Sequence, residues 1–526
     1  MSSKRKPAMG RAGITGKEAK EQSRRRAVDL STQRRDALLR SKRLRRVFED
    51  GDGNGDGLFT SLDPLALQTA VNQAVRQAAS SQASQDGRLA GDLRYLRKLL
   101  SEGEESASGA VLEAGAVPVL VSALQPGPTG PHAVEASLEA GWALAYLAGG
   151  SHAVASAVLP ASPALIAHLS CGMGAPLAEV SAWAIGNLAA DCSEFSDTLV
   201  ANGAVRALAE LMFSVGRGVG AHETVVAAIT ASWALANLVR FSSVAAKQLL
   251  AAPQAPTRLL EMLSLDHPKI VTEVAWLLTY LLSRDPGQIE PVLASGVVAP
   301  LIRLLSSSVG KLEADLDGSR ATLTPVLRCL GNIAAGPDLQ AARDLVSAEG
   351  GVGVRCMVEC LNSSHRGLQK EAAWALSNIA GSPDKMGPSA VKNSGAVPVL
   401  LDMTRRCAFD VKKEVAFTLA NVCVGSEKEE PDVEFLQSVI STEHNLLETF
   451  LSFMKSPDME AARLGIRFVE VVLRVVPNGP KLVESADGIF ALEELQFKGP
   501  EDLQRLAADL VDKYYGEDYG LEDDAM

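Results

Sequence analysis

Ser181-Ala-Trp-Ala-Ile-Gly-Asn187 sets a large ring and an Asn four residues apart in an Ala-rich apolar helix, and Glu371-Ala-Ala-Trp-Ala-Leu-Ser-Asn378 repeats that arrangement. Working outward, a ring or Arg followed four residues on by Asn or Tyr recurs at Trp142/Tyr146, Trp183/Asn187, Trp233/Asn237, Trp276/Tyr280, Arg328/Asn332, Trp374/Asn378 and Phe417/Asn421. Consecutive pairs lie 41 to 52 residues apart. A spacing of four puts both members of a pair on one helix face. A period of this length is that of stacked helical repeats, so the pairs line up as a ladder along one surface. The expected fold is all-α, a solenoid, and ladders of this kind bind extended peptides.

A Trp on an Ala-rich helix is ordinarily a core residue. Here all five Trp of the chain occupy this one repeat position. Rings that merely filled a core would scatter among inward positions, and Asn would not accompany them. Turns punctuate the repeats: Glu113-Ala-Gly-Ala-Val-Pro118, Ala201-Asn-Gly-Ala-Val205, Ala294-Ser-Gly-Val-Val-Ala-Pro300 and Asn393-Ser-Gly-Ala-Val-Pro398. In each, Gly can stop one helix, and where Pro follows it suits the first turn of the next. Polar, Gly-containing inserts at Ser214–Glu223 and Ser306–Ser319 read as loops between helices.

Composition agrees with this class. The 526 residues are 47 % hydrophobic but only 5 % aromatic, which suits a large helical core. Seven Cys show no metal or disulfide spacing and no apolar leader opens the chain, so they read as reduced, mostly buried thiols of a soluble cytosolic or nuclear protein. The longest apolar stretch, Thr224 to Val239, contains Thr, Ser and Asn and fits a repeat helix better than a membrane span.

The net charge of −12 conceals an asymmetry. Residues 1–46 hold 16 Lys and Arg against 4 Asp and Glu, a net +12, leaving −24 for the remainder. A basic arm tethered to an acidic body meets it at high effective concentration, so the arm is expected to occupy the body's own binding surface until a partner removes it. Four parts are expected: a basic arm over 1–48, a flexible acidic/Gly and Gln/Ala/Ser linker over 49–86, repeats over 87–515, and a disordered acidic tail over 516–526.

On these stretches, with Lys412-Lys-Glu-Val-Ala-Phe-Thr-Leu-Ala-Asn421 added, the chain resembles importin-α, the armadillo-repeat adaptor that carries nuclear localisation signals. Trp276-Leu-Leu-Thr-Tyr280 followed by Leu327-Arg-Cys-Leu-Gly-Asn332 is similar to the family's own two exceptions to its Trp/Asn rule, in the same order. Gly488-Ile-Phe-Ala-Leu-Glu-Glu-Leu-Gln496 and Asp512-Lys-Tyr-Tyr515 resemble its last repeat. The resemblance implies about ten armadillo repeats in a right-handed superhelix. It also implies that the ladder holds a Lys-rich strand: Asn amides bond the peptide backbone, indole rings form slots for Lys stems, and carboxylates at the slot ends meet the ammonium groups.

The implied major peptide site comprises Trp142, Trp183, Asn187, Asp191, Trp233, Asn237, Glu273 and Trp276, with Asp191 resembling the acid that holds the key Lys. The implied minor site comprises Arg328, Asn332, Glu371, Trp374, Asn378, Glu414 and Asn421. Glu273, Glu371 and Glu414 stand three residues before a ring and resemble rim acids. Tyr146, Ala155, Ala341 and Phe417 depart from the family's pattern, so the main cargo contact is expected at Trp183/Trp233, with the second site weaker or different in its peptides.

In the arm, Arg24, Arg25, Arg26, Arg34, Arg35, Lys42, Arg43, Arg45 and Arg46 resemble an importin-β-binding segment. Lys42-Arg43-Leu44-Arg45 also has the spacing of a localisation signal, so the arm could mimic cargo. A basic tail for RNA or anionic membrane is the plainer reading of the same charge. The resemblance implies importin-β and basic cargo proteins as partners, with an export receptor at the C-terminal repeats, no direct nucleic acid, no membrane insertion, and shuttling between cytoplasm and nucleus. Asp52-Gly-Asn-Gly-Asp-Gly-Leu-Phe-Thr-Ser-Leu-Asp63 matches a calcium loop with Asp52, Asn54, Asp56 and Asp63 as ligands, although position 12 is Asp and Pro64 interrupts the exit. A flexible acidic linker is its alternative.

Nothing points to catalysis or a cofactor. The seven His show no metal spacing, and neither a phosphate loop nor a nucleophile elbow is present. Two non-enzymatic functions remain: an autoinhibited nuclear import adaptor, and a repeat scaffold or dedicated chaperone for one partner.

Overall fold

The computed structural model describes residues 64–516, apart from short segments at 83–86, 103, 126–129, 171–173, 217–219, 285, 337, 383–384, 425–430 and 442–445. The basic arm, the Asp52–Asp63 loop, Cys171 and the tail from 517 lie outside the described residues. Among the described residues every regular element is a helix and no β-strand occurs. They divide into an N-terminal unit, 64–300, and a C-terminal unit, 301–516.

The repeat is a pair of short helices followed by a long one, as in Ser193–Ala201, Ala204–Met212 and His222–Phe241. Among the described residues long third helices recur ten times, from Arg88–Glu102 to Glu501–Tyr514, and the ladder residues ride on them. In the Trp183 helix (Ala175–Ala189) all but three of the fifteen residues are buried. A helix apolar on almost every side must be sandwiched between neighbours, and its Ala residues let those neighbours approach closely. It packs on the Trp142 helix (Pro131–Ala148) and the Trp233 helix (His222–Phe241). That last helix is long and apolar enough to cross a membrane, but 78 % of its most apolar window is buried inside the protein, which marks it as a core helix of the repeat.

The turns behave as their sequence implies. Gly115, Gly203, Gly296 and Gly395 have φ of 72°, 87°, 81° and 82°, the left-handed region that only Gly enters without strain, and each reverses the chain between the short helices.

Two expectations change. The stretch 64–86, read as flexible linker from its Gln, Ala and Ser content, contains a helix from Pro64 to Ser81. Leu67, Val71, Ala74, Val75 and Ala78 form its buried face, packed against Arg88–Glu102 and Glu104–Glu113, so it completes the first repeat. Pro64 opens this helix rather than interrupting one, since Pro in the first turn lacks only an N–H that would have no intrahelical partner. The insert Ser306–Ser319 is also mostly helix: Val298–Val309 runs into it, Leu316–Ala335 begins inside it, and Asp315 caps the latter by accepting from Gly318 N–H at 2.9 Å.

All six described cysteines are free thiols, four of them buried. Burial pushes the Cys360 and Cys423 thiols up to about 12.

Candidate peptide-binding ladder

Four of the ladder's Asn side chains do a job inside the protein. Asn187 Nδ2 donates to Ala145 O at 3.0 Å, Asn237 to Gly186 O at 3.0 Å, Asn378 to Gly331 O at 3.1 Å and Asn421 to Ser377 O at 2.9 Å. In every case the acceptor is the residue just before the Asn or Tyr of the preceding repeat. An amide nitrogen carries two hydrogens, so this bond takes one and ties neighbouring third helices in register. The side-chain oxygen of Asn237 has no hydrogen-bond partner among the described residues.

The rings seat on the same feature. A Cβ on Gly186 would stand 2.2 Å from Trp233 Cζ3, and one on Gly331 2.2 Å from Trp374 Cζ3. Trp233 and Trp374 therefore press against the glycine that precedes the Asn one repeat earlier, which any side chain there would prevent. Trp183, Trp233 and Trp374 are only 5 %, 6 % and 7 % exposed, while Trp142, Trp276 and Phe417 are half-buried. Trp142 and Trp183 meet edge to face at 5.1 Å, and Tyr146, in place of an Asn, adds a third ring 6.3 Å from Trp183. The indole N–H groups of Trp233 and Trp374 have no partner among the described residues. Buried donors left unpaired cost about 1–3 kcal/mol each, a reason to look for a ligand that satisfies them.

The acids divide into two kinds. Glu371 accepts a bidentate pair from Arg328, Nε at 2.9 Å and Nη2 at 2.6 Å, and the two side chains are 9 % and 3 % exposed. Glu371 thus joins two repeats rather than standing at a slot rim. The same device occurs at the other end of the ladder, where sequence reasoning missed it. Glu139, three residues before Trp142, accepts from Arg97 Nε at 2.7 Å and Arg94 Nε at 3.0 Å. Arg97 lies 45 residues before Trp142, so it stands at the ring position of the first repeat as Arg328 does further on. That spacing is the signal that could have found it. Glu273 and Glu414 are buried as well.

Asp191 is of the other kind. It lies just past the C-terminus of the Trp183 helix, 15 % exposed, and its carboxylate meets the Nδ1 of His152, which is 66 % exposed. His152 also stacks on Phe195, centroids 5.1 Å apart and planes 18° from parallel. The partner of the acid expected to hold a Lys is a surface imidazole.

The structure thus brings Trp142, Tyr146, Trp183, Asn187, Trp233 and Asn237 together in the N-terminal unit, and Arg328, Asn332, Glu371, Trp374, Asn378 and Asn421 in the C-terminal unit. The arm residues and the calcium-loop ligands lie outside the described residues.

Residues 353–381, the helix before Trp374 and the Trp374 helix itself, match the Armadillo/beta-catenin-like repeat. Importin subunit alpha-9 of Arabidopsis thaliana is 36 % identical over 97 % of this chain and 96 % of its own length. The chain belongs to the importin-α family. Importin subunit alpha-2 of Oryza sativa subsp. japonica is 35 % identical over 96 % of the chain and 94 % of its own. An engineered protein of known crystal structure is similar with a TM-score of 0.69 at 26 % identity, covering 85 % of this chain and 99 % of that one. As an importin-α built on an all-α armadillo solenoid, the chain has the general role of a nuclear import adaptor.

Proposed function

We propose that this importin-α binds Lys/Arg-rich localisation signals on its Trp/Asn ladder, centred on Trp183, Asn187, Trp233, Asn237 and Asp191, and hands them to importin-β through the basic arm of residues 1–48. The observation that carries this is Asp191: a carboxylate at the ladder's edge that meets an exposed imidazole and that a Lys ammonium can take over. Aromatic walls and an acid at their end suit the stem and head of Lys. In the second site the acid Glu371 is already spent on buried Arg328, which supports a weaker or different peptide preference there. The arm, +12 against an acidic body, competes with cargo for the same surface until importin-β withdraws it. Transport in both directions places the protein in cytoplasm and nucleus, with the last repeats taking the export receptor. The alternative, a scaffold or chaperone dedicated to one partner, would use the same fold without general cargo.

The test is binding of a fluorescent Lys-rich peptide to the full chain and to one lacking residues 1–63. The deletion must stop before Pro64, because the 64–81 helix is part of the first repeat. Tighter binding by the shortened chain, lost in Asp191→Lys, is expected. Absence of binding by both forms would favour the dedicated scaffold.

A further inference from the structure

Asp191 has a second neighbour besides His152. Cys192 follows it as the N-cap residue of Ser193–Ala201, and one ligand atom from each of His152, Asp191 and Cys192 lies within 4.8 Å of the others. The three donors come from two repeats: His152 opens a short helix, while Asp191 and Cys192 form the link after the Trp183 helix. We propose that His152, Asp191 and Cys192 form a zinc site, with water as fourth ligand, at the acid of the major peptide site.

The donor set suits the metal. Zinc takes imidazole nitrogen, carboxylate oxygen and thiolate sulfur at about 2.0–2.3 Å in a tetrahedron, which places ligand atoms roughly 3.3–3.8 Å apart. His152 is mostly exposed and free to adjust, so the site needs shifts of about an ångström, in which the His152–Asp191 contact opens and the remaining ligand distances draw in. The Phe195 ring stacks on the imidazole face and supports it. Binding forms Zn–N, Zn–O and Zn–S bonds and releases the Cys192 proton to solvent.

The consequence rests on the peptide reading. Zinc would take the carboxylate oxygen that a Lys needs and cancel its charge, since Zn²⁺ with one carboxylate and one thiolate sums to zero, so metal and basic peptide exclude one another at Asp191. Cargo binding would thereby respond to zinc through three residues that do not include a ladder Asn or Trp.

The experiment uses the full chain, stripped of metal and titrated with Zn²⁺ against a chromogenic chelator, and with Co²⁺ followed by its thiolate charge-transfer band. One site is expected, weakened at least about tenfold in His152→Ala and in Cys192→Ser, with unchanged circular dichroism. No binding, or binding unchanged in both variants, overturns the site. In a second arm, zinc is expected to weaken binding of the Lys-rich peptide at least about tenfold in the native chain and not in the variants. Peptide binding indifferent to bound zinc overturns the exclusion. If the metal-free protein binds no peptide at all, the adaptor reading fails while the zinc titration still decides the site.

Discussion

In the N-terminal unit the acid of the ladder, Asp191, touches an exposed imidazole; in the C-terminal unit Glu371 is held by two bonds from Arg328, both side chains almost wholly buried. The two regions share the Asn bond between repeats, the ring seated on glycine and an Arg–Glu pair between repeats, Glu139 with Arg97 in the first and Glu371 with Arg328 in the second; Asp191 is the carboxylate put to a different use. A buried, bidentate pair is structural mortar, because parting it leaves a charge without water or partner. A carboxylate facing an exposed His can exchange that contact for another cation at little cost. One repeat rule therefore produces a rung that can change partner and a rung that cannot.

The largest test of this difference is Arg328→Leu. It should destabilise the protein by about 3–5 kcal/mol by removing the bidentate partner of the buried Glu371 carboxylate, and adding Glu371→Leu should restore most of the loss, both read from denaturant midpoints. A single substitution costing no more than a surface pair would erase the contrast. Next comes the part the two regions share. Gly186→Ala and Gly331→Ala each push a Cβ into an indole; overpacking of about 1–3 kcal/mol should outweigh the helix preference of Ala over Gly, roughly 1 kcal/mol at most. Similar losses in both, with altered Trp emission, would show that ring seating is common to the two units; a loss at one position only would split the rule.

Smaller still is Asn237→Ala, expected to cost about 1 kcal/mol of stability and to weaken the Lys-rich peptide, because the side chain serves both the repeat contact and the ligand. A stability loss with unaltered peptide affinity would confine Asn237 to the mortar. The smallest effect belongs to an exposed pair in the C-terminal unit, Lys392 with Asp432 at 2.6 Å. The Lys392 ammonium, and after it the Phe435 backbone N–H, hold the Asp432 carboxyl below its usual range. A lowered folded pKa stabilises above the unfolded value, about 3.9, and that contribution disappears as pH falls through the folded one. Lys392→Ala should thus cost less than about 1 kcal/mol at pH 7 and close to nothing near pH 2, in paired denaturation curves. An effect as large as that of Arg328→Leu would mean that pairing, not burial, sets the strength.

Much of the ladder was legible because its signal is local. Ring and Asn four residues apart, returning every 41 to 52 residues, need only helical geometry to be read. The glycine turns were legible for the same reason, since a left-handed residue is a property of one position. The 64–81 helix was missed because Gln, Ala and Ser resemble linker composition, and its five buried residues look weak until neighbouring helices cover them.

What the sequence determined by itself was the repeat, its period, the surface on which Trp and Asn align, and the family to which those residues belong. Only the tertiary structure decided what each polar group does there. Asp191 reaches His152 across 39 residues and Glu371 reaches Arg328 across 43, and those pairings depend on the register of one helix against the next. Periodicity is written within each helix, whereas the choice of partner between repeats is made by packing, which decides which charges are buried together and which remain at the surface.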